Sequence, residues 1–322
     1  MTVSETDFHR AADTLRSWAL DEDLKQRVMS SPVLAAQAER VARRYTAGET
    51  VADAITAATA AMARGHLPSI EYAGESIRDA DLARSETAVF LDLARAIHAA
   101  SLPSTISFDL SHVGAVIDRD LTLHNVRQLA EATAPLGTAL MISAEGSDRT
   151  DLVLDLYDEL PAEFPHIGIT LQARLHRTPD DLTRVLQHPG TVRLVKGAFL
   201  ESEDTAYPRE SEELTTAYLD LARRLITSGK KVAIASHDEA LITAIIAEHG
   251  DQLRAATVEF EMLLGLGTEL LDRLHADGYA TREYVVFGCE WWLYVLNRIA
   301  EHPERIITAL ADLNPERSRK LR

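Results

Sequence analysis

The sequence predicts an α/β protein, a (β/α)₈ barrel of the TIM type that follows an N-terminal helical segment. From Pro68 onward, short apolar or β-branched runs alternate with longer stretches of helical period. This alternation is typical of parallel strands joined by helical crossovers. Eight such repeats follow one another, and about 250 residues is the usual size of such a barrel. No glycine-rich phosphate loop follows any run, so an open dinucleotide-binding sheet is not expected.

Residues 1–66 are rich in alanine and carry apolar side chains at helical spacing, with no strand pattern. Thr50 followed by Asp53 has the spacing of a capping box at a helix start, and Gly48 just before it suggests that the preceding helix ends there. We therefore divide the chain into a helical segment, residues 1–66, and a catalytic barrel domain, residues 67–322.

Within the barrel domain, eight runs have the length and composition of strands. They are Ser69–Ala73, Thr105–Leu110, Ala139–Ser143, Gly168–Ala173, Thr191–Lys196, Lys231–Ala235, Ala256–Glu261 and Glu283–Phe287. The stretches between them have the spacing of amphipathic helices. These are Ser85–Ala99, Thr122–Thr133, Asp148–Leu160, Pro179–Gln187, Glu212–Thr227, Glu239–His249 and Gly267–Ala276.

Composition excludes several classes of function. The 322 residues include 33 Lys and Arg against 50 Asp and Glu, a net charge of −17, which disfavours nucleic-acid binding. The single cysteine, Cys289, excludes an internal disulfide framework and a cysteine-based zinc cluster. Neither a secretion signal nor an apolar stretch of about 18 residues is present, so we expect a cytoplasmic protein without an integral membrane segment.

Active sites of such barrels lie at the carboxyl ends of the strands. In this sequence nearly every predicted strand ends in polar or charged residues. They are Gly74 and Glu75, Asp109, Ser111 and His112, Ser143 and Glu145, Gln172, Arg193 and Lys196, Ser236 to Asp238, Glu259 and Glu261, and Tyr284.

Three chemistries could use these side chains. A metal-dependent hydrolase would draw on His112, His237, Asp238 and Glu145, but no His-x-His pair ends the first strand and no HExxH helix exists, so no metal is expected. A Schiff-base lyase would use Lys196, whose pKa desolvation could lower.

Redox chemistry on a bound flavin is the third possibility. A flavin needs hydrogen-bond donors near its ring and its pyrophosphate, together with apolar walls. Gln172, Arg193, Lys196 and His237 could supply the donors. The residue types alone leave the three chemistries open.

The string RLVKGAFLE, Arg193–Glu201, resembles the flavin-dependent proline dehydrogenases, and in particular the monofunctional bacterial type. Further similar strings follow the family's order over nearly the whole chain. They are IEYAGESIRD from Ile70, ISFDLSHVG from Ile106, MISAEGSDRTD from Met141, GITLQARLHRTPDDL from Gly168, ASHD from Ala235, EFEMLLG from Glu259 and YVVFGCEWWLYVLNRIAE from Tyr284. The resemblance implies a distorted barrel with non-covalent FAD. It also implies oxidation of L-proline to Δ1-pyrroline-5-carboxylate by hydride transfer to flavin N5.

The same matching implies roles for individual residues. It places Arg193 beside flavin N5 and makes the catalytic set Arg193, Lys196, Arg298, Tyr284 and Tyr294. The residues implied to bind the cofactor are Gln172, Arg193, Lys196, Gly197, Ala198, Ser236, His237 and Glu301. Those implied to bind the substrate are Asp109, Ser143, Ala198, Leu263, Tyr284, Tyr294, Asn297 and Arg298, with Arg298 on the substrate carboxylate.

The chain departs from the family's pattern mainly where the substrate binds. Asn297 replaces the first of two arginines, Asp109 replaces a lysine and Ser143 replaces an aspartate. Losing one charge-assisted hydrogen bond costs about 1.5–3 kcal/mol, so proline itself should bind more weakly. A more cationic amine or amino acid would suit Asp109. Arg174, where the family has a tyrosine, could instead restore the missing positive charge.

Two further expectations concern the site and its partners. The aromatic position after Lys-Gly-Ala is Phe199, and Glu75 would face Asn297 rather than an arginine. The alternatives are a flavin-binding barrel without turnover and the lyase that uses Lys196. The electron acceptor stays open between a quinone and oxygen, and a peripheral position at the inner membrane face stays open beside the cytoplasm.

Overall fold

The computed structural model describes residues 5–74, 77–254 and 257–313. Eight parallel strands form a closed barrel in chain order, with the first strand paired to the last. The strands are β1 (Leu67–Tyr72), β2 (Thr105–Phe108), β3 (Leu140–Ile142), β4 (Ile167–Gln172), β5 (Val192–Val195), β6 (Val232–Ala235), β7 (Val258–Leu263) and β8 (Ala280–Phe287). The predicted (β/α)₈ barrel is confirmed.

Helices precede, surround and follow the barrel. Four come before β1: α1 (Glu5–Ala19), α2 (Glu22–Met29), α3 (Pro32–Ala42) and α4 (Val51–Ala63). The others are α5 (Ala80–Ala99), α6 (Arg119–Thr133), α7 (Thr150–Asp158), α8 (Thr178–Val185), α9 (Glu212–Thr227), α10 (Glu239–His249), α11 (Thr268–Ala276), α12 (Trp291–Glu301) and α13 (Arg305–Asp312). In the described ranges, no helix is long and apolar enough to cross a bilayer.

Most predicted elements match the observed ones to within a few residues, and α9 and α10 match at both ends. The helix α5 begins earlier than predicted because the side chain of Asp79 accepts a hydrogen bond from the N–H of Leu82 and caps it. The predicted start of the seventh strand, Ala256, lies outside the described residues. The proposed domain division at residue 66 stays a prediction.

Side chains of the strands alternate between two environments. One set, which includes Ile70, Phe108 and Leu194, is buried in the hydrophobic core that involves the surrounding helices. The other set points into the barrel and includes several polar residues: Ser69, Ser107 and Arg193, from three different strands, are hydrogen-bonded to one another. Successive side chains of a strand point to opposite faces. Polar residues at every second position of a strand therefore line the interior, while the residues between them face the helices.

The N-terminal helical segment packs against α12, the helix that follows the last strand of the barrel. A second hydrophobic cluster joins Leu15 and Tyr45 to Trp291 and Trp292 of α12. The indole N–H of Trp292 also donates to the carbonyl of Trp18, at 2.9 Å. This packing fixes α12, which carries several of the residues implied to bind substrate.

The capping box is confirmed, whereas the expected helix end at Gly48 is wrong. Thr50 and Asp53 exchange hydrogen bonds at the start of α4. The preceding helix ends earlier, at Ala42. Gly48 lies instead in a loop, where its carbonyl accepts a hydrogen bond from the N–H of Gly288 just after β8, at 2.9 Å. Its φ of +132° is a conformation that side-chain-bearing residues rarely adopt.

We predict that Thr50→Ala lowers the free energy of unfolding by about 0.5–2 kcal/mol, because α4 loses its cap. The control is Thr56→Ala on an exposed turn of the same helix, where alanine is the better helix former and the change should be neutral or slightly stabilising. Denaturant unfolding of both variants checks the prediction, and equal effects would contradict it.

Candidate active site

The centre of the barrel holds the guanidinium of Arg193. Its Nε donates to Glu261 at 2.7 Å and its Nη2 donates to the other oxygen of Glu261 at 2.8 Å. The same Nη2 lies 3.0 Å from the hydroxyls of Ser69 and Ser107. Both charged side chains are buried, 4% and 2% exposed. The two-point contact with a carboxylate fixes the plane of the guanidinium.

Two further features define the position of Arg193. Its Cζ lies 4.8 Å from the ring centroid of Tyr284, an arrangement in which cation and ring attract. In the part of the chain that the structure describes, its Nη1 makes no hydrogen bond. Arg193 is therefore held firmly on one side and keeps donors free on the other.

Carboxyl groups cluster where β1 to β3 end. The hydroxyl of Ser143 donates to Glu71 at 2.8 Å across the barrel. Burial raises the pKa of Glu71, although this hydrogen bond and the charge of Arg193 act in the opposite direction. Burial also raises the pKa of Asp109 well above its ordinary value, and the negative charges of Glu71 and Glu145 raise it further. The charge expected at Asp109 from the sequence is thus weakened over part of the pH range.

Gln172 and Glu145 connect the ends of β3 and β4. The amide of Gln172 donates to the carbonyl of Glu145 at 2.8 Å. The carboxylate of Glu145 accepts from the N–H of Ser111 and from Arg149, both at 2.8 Å. Both carboxylate oxygens of Glu145 are therefore hydrogen-bonded. The side-chain oxygen of Gln172 lies close to Gly197.

Lys196 and Asp238 join the ends of β5 and β6. The Nζ of Lys196 lies 2.6 Å from Asp238, and both side chains are about one-third exposed, 33% each. Burial acts to raise the pKa of Asp238, but the hydrogen bonds from Lys196 and from the N–H of Leu241 lower it overall. The hydroxyl of Ser236 accepts from the N–H of Asp238 at 3.2 Å. This pair leaves an ammonium facing the open end of the barrel.

The loop after β5 depends on Gly197. Its φ is +113°, and a Cβ there would lie 2.8 Å from Cγ of Arg174 and 3.1 Å from the side-chain oxygen of Gln172. Arg174 donates from Nη1 to the carbonyl of Phe199 and from Nε and Nη2 to that of Tyr207. Arg174 thus holds the loop, so the structure does not support it as a replacement for the missing carboxylate-binding cation.

Three buried polar atoms at the open end have no hydrogen-bond partner among the described residues: Nδ1 of His237, Oη of Tyr294 and Nε of Arg298. Burial lowers the pKa of His237 to about 3, with the charge of Arg298 adding to the effect. Because Nε2 accepts from the N–H of Leu263 at 3.4 Å, the proton of the neutral ring lies on Nδ1. Unpartnered buried donors cost free energy unless a ligand satisfies them.

Arg298 lies beside Tyr294 and Glu301 on α12. Its Nη2 is 2.7 Å from Glu301, and its Cζ is 5.6 Å from the ring centroid of Tyr294. Arg305 donates to the carbonyl of Arg298 at 2.6 Å. Asn297 is half-buried on the same helix, and Glu75, expected to face it, lies outside the described residues.

The structure brings the sequence-predicted residues to one end of the barrel, but sequence reasoning missed part of their support. Ser69, Glu71 and Ser107 lie in predicted strands but not at their carboxyl ends. Polar residues at alternate positions of an apolar run, such as Ser69 and Glu71, are the signal that could have revealed them. Among the described residues, no three His, Cys, Asp or Glu side chains are grouped so that they could hold a metal ion, and His112 pairs with Glu86 at 2.7 Å.

Known proteins are similar to this chain over most of its length. The proline dehydrogenase family model matches residues 54–293. Proline dehydrogenase 1 of Bacillus subtilis is 30% identical over 265 residues, which is 81% of this chain and 87% of that protein. Proline dehydrogenase of Deinococcus radiodurans is 31% identical over 271 residues, 82% of this chain and 86% of that one.

The chain belongs to the proline dehydrogenase family. Its membership makes the protein an oxidoreductase. Among solved structures, proline utilization A of Bdellovibrio bacteriovorus inactivated by N-propargylglycine superposes with a TM-score of 0.77 at 20% identity. The match covers 92% of this chain and 37% of that one, and it shows a shared fold.

We predict that Asp109→Asn changes how stability depends on pH. Between the ordinary carboxyl pKa and the raised one, folded Asp109 keeps a proton that the unfolded chain has lost. The wild type therefore loses stability as pH rises through this range, by about 1.4 kcal/mol per unit of pKa difference. Because Asn does not titrate, the stability of the variant relative to wild type should increase from pH 4 to pH 8, as measured by urea unfolding.

Asp151→Asn is the control of opposite sign, because hydrogen bonding to Arg177 lowers the pKa of Asp151. That variant should lose stability relative to wild type as pH rises. Parallel curves for the two variants would contradict the assignment at Asp109.

Proposed function

We propose that the protein is an FAD-dependent dehydrogenase that oxidises the C–N bond of L-proline or of a related amine or amino acid. The observation that carries the proposal is Arg193, buried at the centre of the barrel with its fork on Glu261 and its Nη1 without a partner among the described residues. A buried cation held in this way suits a cofactor on which negative charge develops. Family membership supports the same reaction type.

The residues at the open end fit a flavin. The donor of His237, which has no partner among the described residues, the partly exposed ammonium of Lys196 and the close approach allowed by Gly197 suit a flavin with its pyrophosphate. Gln172, Ala198, Ser236 and Glu301 complete the proposed cofactor-binding set. When bound, FAD accepts the hydride that the substrate carbon gives up.

The substrate would be held by α12 and by the ends of β7 and β8. Arg298 supplies a planar fork for a carboxylate, and its unpartnered Nε is available for that contact. Tyr284, Tyr294 and Leu263 provide apolar walls, which exclude water and hold the ring or chain that carries the nitrogen. Burial raises the pKa of Tyr294, so its hydroxyl stays neutral and can donate a hydrogen bond.

The carboxyl groups of the pocket favour a substrate with additional positive charge. Glu71 and Asp109 face the interior, with Ser143 bonded to the former, and Asn297 brings no cation in return. A second ammonium group on the substrate would stabilise the ionised form of Asp109, whose pKa burial otherwise raises. We therefore propose that a cationic amino acid is preferred to proline.

The alternatives are less well supported. A Schiff-base lyase requires the side chain of Lys196 to be a neutral amine. In the structure, the Nζ of Lys196 pairs with Asp238 at 2.6 Å, which favours the ammonium form. A flavin-binding barrel without turnover gives the unpartnered Nε of Arg298 no role. We place the reaction in the cytoplasm, and a quinone or oxygen remains the candidate acceptor.

The test is anaerobic mixing of the purified protein with L-proline or with 4-amino-L-proline, followed by absorbance of the flavin band. We expect a yellow protein that bleaches with both, at lower concentrations of the amino derivative. A yellow protein that bleaches only with dithionite would favour binding without turnover. A colourless protein that binds no added FAD would refute the proposal.

We predict that Arg298→Lys raises the substrate concentration for half-maximal flavin reduction by about 10- to 100-fold, because an ammonium cannot replace the two-point contact. Arg305→Lys is the control: Arg305 is also close to Glu301, at 3.9 Å, but donates to the carbonyl of Arg298. Rapid-mixing absorbance of both variants measures the effect. Equal changes would show that Arg298 acts only in folding.

A further inference from the structure

We infer that Glu261 is a positioning residue that sets the charge next to the flavin by pairing with Arg193. The inference rests on the proposed function, since it concerns the site where a flavin would lie. Glu261 has two effects. It fixes the direction of the Arg193 guanidinium, and its negative charge cancels the positive charge of Arg193.

The geometry supports the first effect. Both oxygens of Glu261 are used, one on Nε and one on Nη2 of Arg193, at 2.7 and 2.8 Å. Ser69 and Ser107 approach the same Nη2 from two other strands. Rotation about the last side-chain bonds of Arg193 would break these contacts together. The remaining Nη1 is thereby held as the group available to a ligand.

The charges around Glu261 support the second effect. Glu261 lies on β7 with Glu259 two positions earlier, and the two side chains bind different arginines. Arg282 forks onto Glu259 at 2.6 and 3.0 Å, and the charge of Glu261 also reaches it. Glu71 is the other carboxyl that faces both Arg193 and Glu261. Glu261 thus cancels the charge of Arg193, the cation that the resemblance places beside flavin N5.

Two electrons added to a bound flavin increase the negative charge beside Arg193. A lone guanidinium would favour this change strongly, whereas the neutral pair favours it less. Glu261 therefore lowers the reduction potential of the cofactor. A lower reduction potential makes the reduced cofactor a better electron donor to the acceptor.

The experiment compares the midpoint potential of the FAD-loaded wild type with that of Glu261→Gln, measured by anaerobic titration against reference dyes. Glutamine keeps the size of glutamate and one hydrogen bond to the guanidinium but removes the charge. We expect the equilibrium to shift at least about tenfold toward the reduced form, a rise of about 30 mV for two electrons. An unchanged or lower potential would overturn the inference.

Glu259→Gln is the control, because it weakens a second arginine–carboxylate fork on the same strand, one that is less buried, with Glu259 19% exposed, and further from the open end. It should lower thermal stability to a smaller extent and move the flavin equilibrium by less than about threefold. Equal shifts of potential in the two variants would mean that any interior charge acts alike, which would overturn the specific role of Glu261.

Glu261→Ala, which admits water beside Arg193, provides a second way to remove the charge if Glu261→Gln does not fold. It should raise the potential in the same direction. Folded variants that lose FAD altogether would overturn the inference, since it assigns to Glu261 the potential and not cofactor retention. A wild type that binds no FAD would refute the proposed function instead, so the two failures are distinguishable.

Discussion

The burial of one guanidinium at the centre of the barrel is the constraint on which the rest of the site depends. Barrels of this class usually fill their interior with layers of branched apolar side chains. Here Arg193 occupies that space, and a buried charge is tolerated only with good partners. The carboxylate of Glu261 and the hydroxyls of Ser69 and Ser107 meet this requirement from three other strands. The polar interior follows from this arginine.

A buried ion pair is weak evidence for stability, because the cost of removing both charges from water offsets their attraction. The Arg193 pair is therefore better explained by function than by folding. Its fork is fixed, its Nη1 is free among the described residues, and the unpartnered groups of His237, Tyr294 and Arg298 lie at the open end. Such pre-organised donors are arranged to bind a ligand.

Much of the fold could be predicted from the sequence, since it rests on local patterns. The alternation of apolar runs and amphipathic stretches predicted the barrel, and the capping box at Thr50 and Asp53 predicted the start of α4. The polar strand ends and the resemblance predicted Arg193, Lys196, His237 and Arg298 as site residues.

The partners of these residues could not be predicted, because they depend on register across the barrel. Arg193 and Glu261 lie on β5 and β7, and nothing in either strand specifies that their side chains meet. Likewise Arg174 follows a strand end, yet its guanidinium holds a loop. The raised pKa of Asp109 also depends on neighbours from other strands. The sequence alone therefore predicted a full negative charge on Asp109, which the structure does not support over the whole pH range.

The most direct test of this account is the double variant Arg193→Met with Glu261→Met, which replaces the buried pair by apolar side chains of broadly similar total volume. Unfolding free energy and flavin reduction by the amine substrate would be measured on the same preparation. We expect stability within about 1 kcal/mol of wild type or higher, since such replacements are often neutral or stabilising. We also expect flavin reduction to fall by at least about 100-fold. Loss of about 3–5 kcal/mol of stability with unchanged flavin reduction would show that the pair serves folding, and would contradict the account.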